Sequence, residues 1–229
     1  MIAHPDHSVK ANLLLASASP RRRELIKLLG LPVATTAADI DEMPLPGECA
    51  DAMALRLSVE KARAVSTGSL PPATCILLAS DTVVSLDGQP LGKPRDAAEA
   101  RSMLQRLRNR THQVYTGIAL IDTDTDRLIT DVASSDVRMR DYSDEEIEAY
   151  IVSGDPFDKA GAYAIQHEGF HPADRFDHCF ANVMGLPLCH VVRALRQLGV
   201  EPINEVPVAC QSYLNYQCPV FESILKSNE

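Results

Sequence analysis

No apolar run in the sequence approaches the ~20 residues that a bilayer-crossing helix needs. The first residues, Met1-Ile2-Ala3-His4-Pro5-Asp6-His7, lack the basic and then apolar segments of a secretory signal. A cytoplasmic protein without membrane contact is expected. The chain also lacks excess positive charge: 22 Lys and Arg stand against 31 Asp and Glu, for a net charge of -9. Such an acidic chain is a poor binder of nucleic acid or of membrane surfaces. Both common nucleotide signatures, Gly-x-x-x-x-Gly-Lys-Ser/Thr and Gly-x-Gly-x-x-Gly, are missing. The six cysteines form no Cys-x-x-Cys pair, and the histidines form no His-x-x-His or His-Glu-x-x-His pair. Cys75, Cys179 and Cys189 sit in apolar surroundings and read as small core residues. Cys189-His190 with Cys210 and Cys218 matches no common zinc spacing, so no metal is assigned there. Internal repeats and low-complexity stretches are absent as well.

What is present fits one globular domain, or one domain in two lobes: 229 residues, 45% hydrophobic. Residues 1–11 read as a loose tail. Leu13-Leu14-Leu15-Ala16 reads as a buried strand, and Glu24 to Leu29 as a helix closed by Gly30. Between them, Ser19 suits an N-cap and Pro20 the first helical position. A second strand is predicted at 31–36, an acidic loop at 39–42, and a helix over 48–66 with Met53, Leu57, Lys61 and Ala64 in phase. The run Thr74 to Ala79 is a strand buried on both faces, ending at Ser80-Asp81-Thr82. Asp96 and Glu99 predict a capping box for a helix through Leu107. A long hairpin is expected over 112–140, a helix capped by Ser143 with Glu146, a short extended piece at 161–166 and a last helix over 186–198. Alternating helices and strands followed by antiparallel pairing predict an α/β fold with a mixed sheet.

Candidate chemistry concentrates in a few places. Ser17-Ala18-Ser19-Pro20-Arg21-Arg22-Arg23 offers free N–H groups, hydroxyls and guanidiniums at a helix start. Arginine in a first turn opposes the helix dipole, so it calls for an anion, and phosphate is the commonest one. A capped, solvated helix start is the plain alternative. Asp81, at a buried strand's end, can hold a divalent metal, orient a water, or merely cap a turn through Thr82. Glu42 can be a second oxygen ligand or a surface carboxylate. Lys61 and Lys93 can place charge on phosphate, Lys93 from the rigid Gly92-Lys93-Pro94 turn, or be plain solvated lysines. Asp158 and Lys159 can pair with each other. Gln166 can read a base edge or simply bond within a strand. Arginine, lysine and carboxylate without a serine or cysteine triad suit metal-assisted attack of water on phosphate.

Taken in order, the segments LASASPRRRELIKLLG, DIDE, RLSVEKA, SDTVV, LGKPRDAAEA, HQVYTGIAL, GDPFDKAGAYAIQ and NVMGLPL resemble the Maf family, nucleoside-triphosphate pyrophosphatases once called septum-formation inhibitors. The resemblance spans residues 12–202 and leaves 203–229 as a C-terminal extension. It implies an elongated mixed sheet with flanking helices and two lobes around a cleft, similar to inosine-triphosphate pyrophosphatases. It implies hydrolysis of a nucleoside triphosphate to the monophosphate and pyrophosphate with Mg²⁺ or Mn²⁺, and a homodimer. By position, Ser17, Arg21 and Arg22 hold the triphosphate, and Lys61 and Lys93 add charge. Glu42 and Asp81 bind metal, Asp81 activates water, and Gln166 contacts the base. Pro20-Arg21-Arg22, Asp81-Thr82 and Asp158 through Gln166 match the dTTP/UTP branch, with Thr82 among the substrate contacts. A non-catalytic nucleotide- or DNA-binding regulator of cell division is the competing class, and a phosphatase releasing single phosphates a third. The polar segment His167 to His171 departs from the branch pattern.

Overall fold

The computed structural model describes residues 12–68 and 75–227. The expected tail at 1–11, and Thr74 at the start of the predicted strand, lie outside them. Six strands form one mixed sheet in the order β2-β1-β3-β5-β6, with β4 paired to β3 off this path. β1 (Leu13–Ala16) runs parallel to both β2 (Val33–Thr36) and β3 (Ile76–Leu86). β3 then pairs antiparallel with β4 (Gln89–Leu91) and with β5 (Thr111–Asp122), and β5 forms the expected hairpin with β6 (Leu128–Arg138).

β3 explains the layout. It is 11 residues long and buried along nearly its whole length. On one side β1 pairs with it at Ile76–Leu78 and β4 at Val84–Leu86, so 79–83 have no strand partner on that side. Asp81 is therefore mid-strand, at a fork in the sheet, and not at a strand end as its sequence context implied. Side-chain alternation splits the neighbourhood. Ile76 and Leu78 join one core with Leu25, Ile26, Val191 and Leu195, whereas Val84 and Leu86 join another with Leu104, Leu107, Val137 and Ile147. Ser80 and Thr82 lie between these cores on the same face, a polar seam between two apolar masses.

Helices cover the sheet. α1 (Pro20–Lys27) follows β1, with Ser19 as N-cap accepting from the Arg22 N–H. α2 (Ala50–Ser66) lies over β3 and β5 on the opposite face, burying Met53, Ala54, Leu57 and Ala62. Gly117 makes this contact possible: a Cβ there would stand 2.3 Å from the Ala54 carbonyl oxygen. α3 (Ala97–Leu107) and α4 (Asp144–Val152) pack at the second core. Ser143 and Glu146 form a complete capping box on α4. On α3 Asp96 accepts from Glu99 N–H as expected, but the Glu99 carboxylate takes the Arg95 N–H, one residue off a true box.

The predicted extended piece at 161–166 is not a strand. Residues 155–158 and 160–162 form 3-10 turns, with Gly161 at φ 70, a conformation that glycine adopts most cheaply. Four short helices follow: α5 (Phe180–Val183), the expected α6 (Leu188–Gln197), and then α7 (Val206–Leu214) and α8 (Phe221–Lys226) in the extension. The polar segment after Gln166 packs through Phe170, which stacks on Tyr150 at 4.3 Å.

Candidate active site

The fork in the sheet opens into a cleft of about 800 Å³. All nine residues singled out from the sequence line it: Ser17, Arg21, Arg22, Glu42, Lys61, Asp81, Thr82, Lys93 and Gln166. They arrive from the loop after β1, α1, the acidic loop, α2, β3, the turn after β4 and the turn after the 3-10 segment. Lysine 61 occupies the buried face of α2, one turn beyond Leu57, in phase with the apolar residues. Its Nζ reaches Asp81 Oδ1 at 2.5 Å and Glu42 Oε1 at 2.6 Å. Asp81 is buried, whereas the Glu42 side chain is 53% exposed. Partial burial raises the Glu42 pKa, but the hydrogen bond and charge of Lys61, with Lys93 and Arg22 behind them, outweigh it and hold the carboxyl below its ordinary value.

The arginines stand on the other side of the fork. Arg22 donates through Nε to the Gly185 carbonyl at 2.8 Å and through Nη2 to Thr82 Oγ1 at 2.9 Å. The polar seam continues: Thr82 and Thr116 share a hydroxyl bond of 3.0 Å, and Thr116 donates to the Asn182 carbonyl. Gly185 has φ +103, and a Cβ there would crowd Arg22 Nε at 3.1 Å. Burial lowers the Arg22 pKa; Asp81 opposes that, Arg21 adds to it and Glu42 opposes it. A guanidinium nonetheless stays charged in proteins, so Arg22 is a desolvated cation with only partial compensation. Arg21 Nε is buried with no hydrogen-bond partner. An unmet buried donor beside a second guanidinium fits an anion.

Thr82, expected among the substrate contacts, spends its hydroxyl on Arg22 and Thr116. Lys93 and Gln166 are exposed at the cleft rim. The sequence reading gave no cleft role to three features: the Gly185 carbonyl, Gly117 beneath α2, and Lys159. Lys159 lines the cleft, buried, with Nζ at 2.6 Å from Asp158 Oδ1 and 2.9 Å from Asp155 Oδ1. Its pairing with Asp158 was the reading made of it; its place in the cleft carried no local signal beyond the charged turn.

The carboxylates of Glu42 and Asp81 converge on one ammonium, which fits a site for a hard divalent cation. Mg²⁺ commonly takes one or two carboxylates and completes its shell with water and substrate phosphates. Among the described residues no three His, Cys, Asp or Glu side chains are grouped to hold an ion by themselves, so phosphate oxygens would have to share the work.

Residues 12–198 match the sequence model of the Maf-like proteins. The chain belongs to the Maf family. A dTTP/UTP pyrophosphatase of Geotalea uraniireducens is 43% identical over 190 residues, covering 83% of this chain and 96% of that one. One of Myxococcus xanthus is 47% identical over 188 residues, covering 82% and 93%. Among solved structures, the Staphylococcus aureus Ham1 protein overlaps 57% of this chain and 72% of its own with a TM-score of 0.39 at 16% identity. No described helix of this Maf protein is long and apolar enough to cross a membrane.

Proposed function

We propose that this Maf protein hydrolyses dTTP and UTP to the nucleoside monophosphate and pyrophosphate, clearing surplus or modified pyrimidine triphosphates from the nucleotide pool. The observation that carries the reading is the meeting of two carboxylates on Lys61 with the partly uncompensated Arg21 and Arg22 in one cleft, in a chain whose relatives at 43–47% identity bear that activity in their names.

Arg21, Arg22 and Lys93 hold the triphosphate and take up charge as pyrophosphate departs. Phosphoryl transfer is catalysed largely by such positioning and charge compensation, so a rigid Arg22 matters more than a mobile one. Thr82 and the Gly185 carbonyl supply that rigidity. Asp81 accepts the proton of the water that attacks the α-phosphorus in line. Lys61 keeps Asp81 and Glu42 together against their mutual repulsion. Mg²⁺ or Mn²⁺, held by Glu42, Asp81 and substrate oxygens, would supply Lewis-acid polarisation. Gln166 at the rim contacts the base. A homodimer in the cytoplasm belongs to the same reading, and sedimentation of the purified protein tests the dimer.

Product analysis with Mg²⁺ and a panel of nucleoside triphosphates tests the reading. Monophosphate plus pyrophosphate, with the highest kcat/KM for dTTP and UTP, is the expected result. Preference for 7-methyl-GTP would overturn the specificity, orthophosphate release would overturn the chemistry, and absence of turnover with several metals would favour a non-catalytic nucleotide-binding regulator.

A further inference from the structure

A chain of buried polar side chains runs away from the cleft into the protein. Ser80, Thr116 and Asn182 are fully shielded from solvent, and Ser135 nearly so. On one face of β5, Val114 belongs to one large apolar core and Ile118 to the other, with Thr116 between them. Valine would fill that place without a hydroxyl to satisfy, so the polar choice needs a reason. Thr116 stands directly opposite Thr82 of β3 in the sheet. Neither Thr116 nor Asn182 lines the cleft.

Each hydroxyl carries a single hydrogen, and that fixes the direction of the bonds. Thr116 Oγ1 lies 3.0 Å from the Asn182 carbonyl, which only accepts, so its hydrogen goes there. Thr82 Oγ1, 3.0 Å from Thr116 Oγ1, must then donate to it. With its hydrogen spent on Thr116, Thr82 turns a lone pair to Arg22 Nη2 at 2.9 Å. A guanidinium only donates, so a lone pair is what Arg22 requires. The second grip on Arg22 ends at the same peptide. Its Nε donates to the Gly185 carbonyl at 2.8 Å, and Ser80 Oγ donates to that carbonyl at 3.1 Å. The Gly185 N–H in turn donates to the Asn182 carbonyl at 2.8 Å. The Asn182 amide anchors this peptide to the hairpin: Nδ2 donates to the Val114 carbonyl at 3.1 Å and to Ser135 Oγ at 2.9 Å.

We propose that Thr116 is a positioning residue for Arg22: its hydroxyl sets Thr82 as an acceptor and ties it to the Asn182 peptide, which also carries Gly185. The proposal rests on the reading of Arg22 as a triphosphate contact. A long arginine side chain has many rotamers, whereas compensating the charge on departing pyrophosphate requires one. The two holds take Nε and Nη2 from behind and converge on one buried carbonyl, leaving the other N–H groups of the fork to an anion. Thr116 itself meets no substrate, so it acts only through Thr82 and Arg22.

Thr116→Val keeps the shape and removes the hydroxyl, and Thr116→Ser keeps the hydroxyl. Both are compared with wild type in dTTP hydrolysis with Mg²⁺ and in calorimetric binding of inorganic pyrophosphate with Mg²⁺. The valine variant should lose kcat by about 10-fold or more with KM changed less, and bind pyrophosphate about 10-fold more weakly. The serine variant should return both close to wild type. Thr116→Ala, which removes the hydroxyl without adding a methyl, gives a second reading of the same loss. In an Arg22→Lys background, which lacks the fork that Thr82 and Gly185 hold, Thr116→Val should add little to either loss. Circular dichroism confirms that each variant is folded. A merely structural hydroxyl would act independently of residue 22, so additive losses in the double variant overturn the proposal. A folded valine variant with wild-type kcat and pyrophosphate affinity overturns it as well. A wild type that turns over no nucleoside triphosphate but binds pyrophosphate overturns the pyrophosphatase reading alone, and the binding comparison still decides on Thr116. A wild type that does neither overturns both.

Discussion

Two buried lysines line the cleft, each gripped by two carboxylates, and the two sets are made differently. Lys159 takes Asp155 and Asp158 from its own turn, four residues and one residue away, and adds the Asp155 backbone carbonyl at 2.6 Å. Lys61 takes Glu42 from the acidic loop and Asp81 from the middle of β3, and no short stretch of chain contains all three. A local set can form whenever its turn forms. A set assembled across the sheet forms only when α2 has docked, so the domain's whole packing energy stands behind its geometry. In the proposed function the chemistry belongs to Lys61 and its partners, and Lys159 supports the cleft wall.

The strongest way to break the comparison is Asp81→Asn, which keeps the shape and removes the proton acceptor. A loss of about 10²–10⁴-fold in kcat is expected, with an unchanged circular dichroism spectrum; near-wild-type turnover would remove Asp81 from the chemistry. Gly117→Ala attacks the same set from below. The added methyl meets the α2 backbone at 2.3 Å, so urea unfolding should show a loss of about 3 kcal/mol or more, with kcat falling as Lys61 lifts from Asp81.

The wall around Lys159 responds to acid instead. Tyr163, next to the Lys159 turn, shares a 2.7 Å hydrogen bond with His112 Nε2. Burial pushes the His112 pKa down to about 4, with Asp136 opposing weakly. The unfolded chain, with an ordinary value near 6.5, therefore binds the proton first. Stability is full above about 6.5 and drains away as pH falls toward 4, by about 3 kcal/mol at most. His112→Gln should flatten that slope in unfolding experiments at pH 7 and pH 4.5; an equal slope in the variant would place the acid sensitivity elsewhere. Lys159→Gln should cost about 2 kcal/mol in the same assay, since half-buried Asp155 loses its cation, while kcat changes less than in Asp81→Asn.

These contrasts also mark what the sequence made legible. The loop at 17–23 was readable because Ser19, Pro20 and three arginines are contiguous and each has a local physical meaning. The β5–β6 hairpin was readable from its alternation, and Lys159 with Asp158 from adjacency. Lys61 carried a partial sign, a lysine in phase with Met53 and Leu57, but its two partners lie far off in sequence, and only the family resemblance joined them. The position of Asp81 was misjudged because a polar Ser-Asp-Thr looks like the end of an apolar strand. In the fold those residues continue the strand through the seam between two cores. Residues 161–166 look extended because Ala, Tyr and Ile alternate, yet Gly161 in the left-handed region turns the chain instead. The roles of Gly117 and Gly185 depend on what approaches them, α2 in one case and Arg22 in the other, and no local pattern announces either.

The smallest effects give the sharpest contrast. Glu42 and Asp158 hold matching positions: each carboxylate lies 2.6 Å from its lysine, with side chains 53% and 71% exposed. Solvent screens both pairs, and each lysine keeps a better-buried partner, so Glu42→Gln and Asp158→Asn should each cost less than about 1 kcal/mol of stability. Their kinetics should part. Glu42 sits where a divalent cation would meet substrate oxygens, so its amide should lower kcat and raise the Mg²⁺ concentration needed for half-maximal rate. Asp158 only brackets a lysine already held by Asp155, so its amide should leave the metal requirement unmoved. Titrating Mg²⁺ against initial rate in the two variants decides this. Equal shifts in both would mean that the two lysine sets are alike in kind, and that assembly across the chain confers no catalytic distinction.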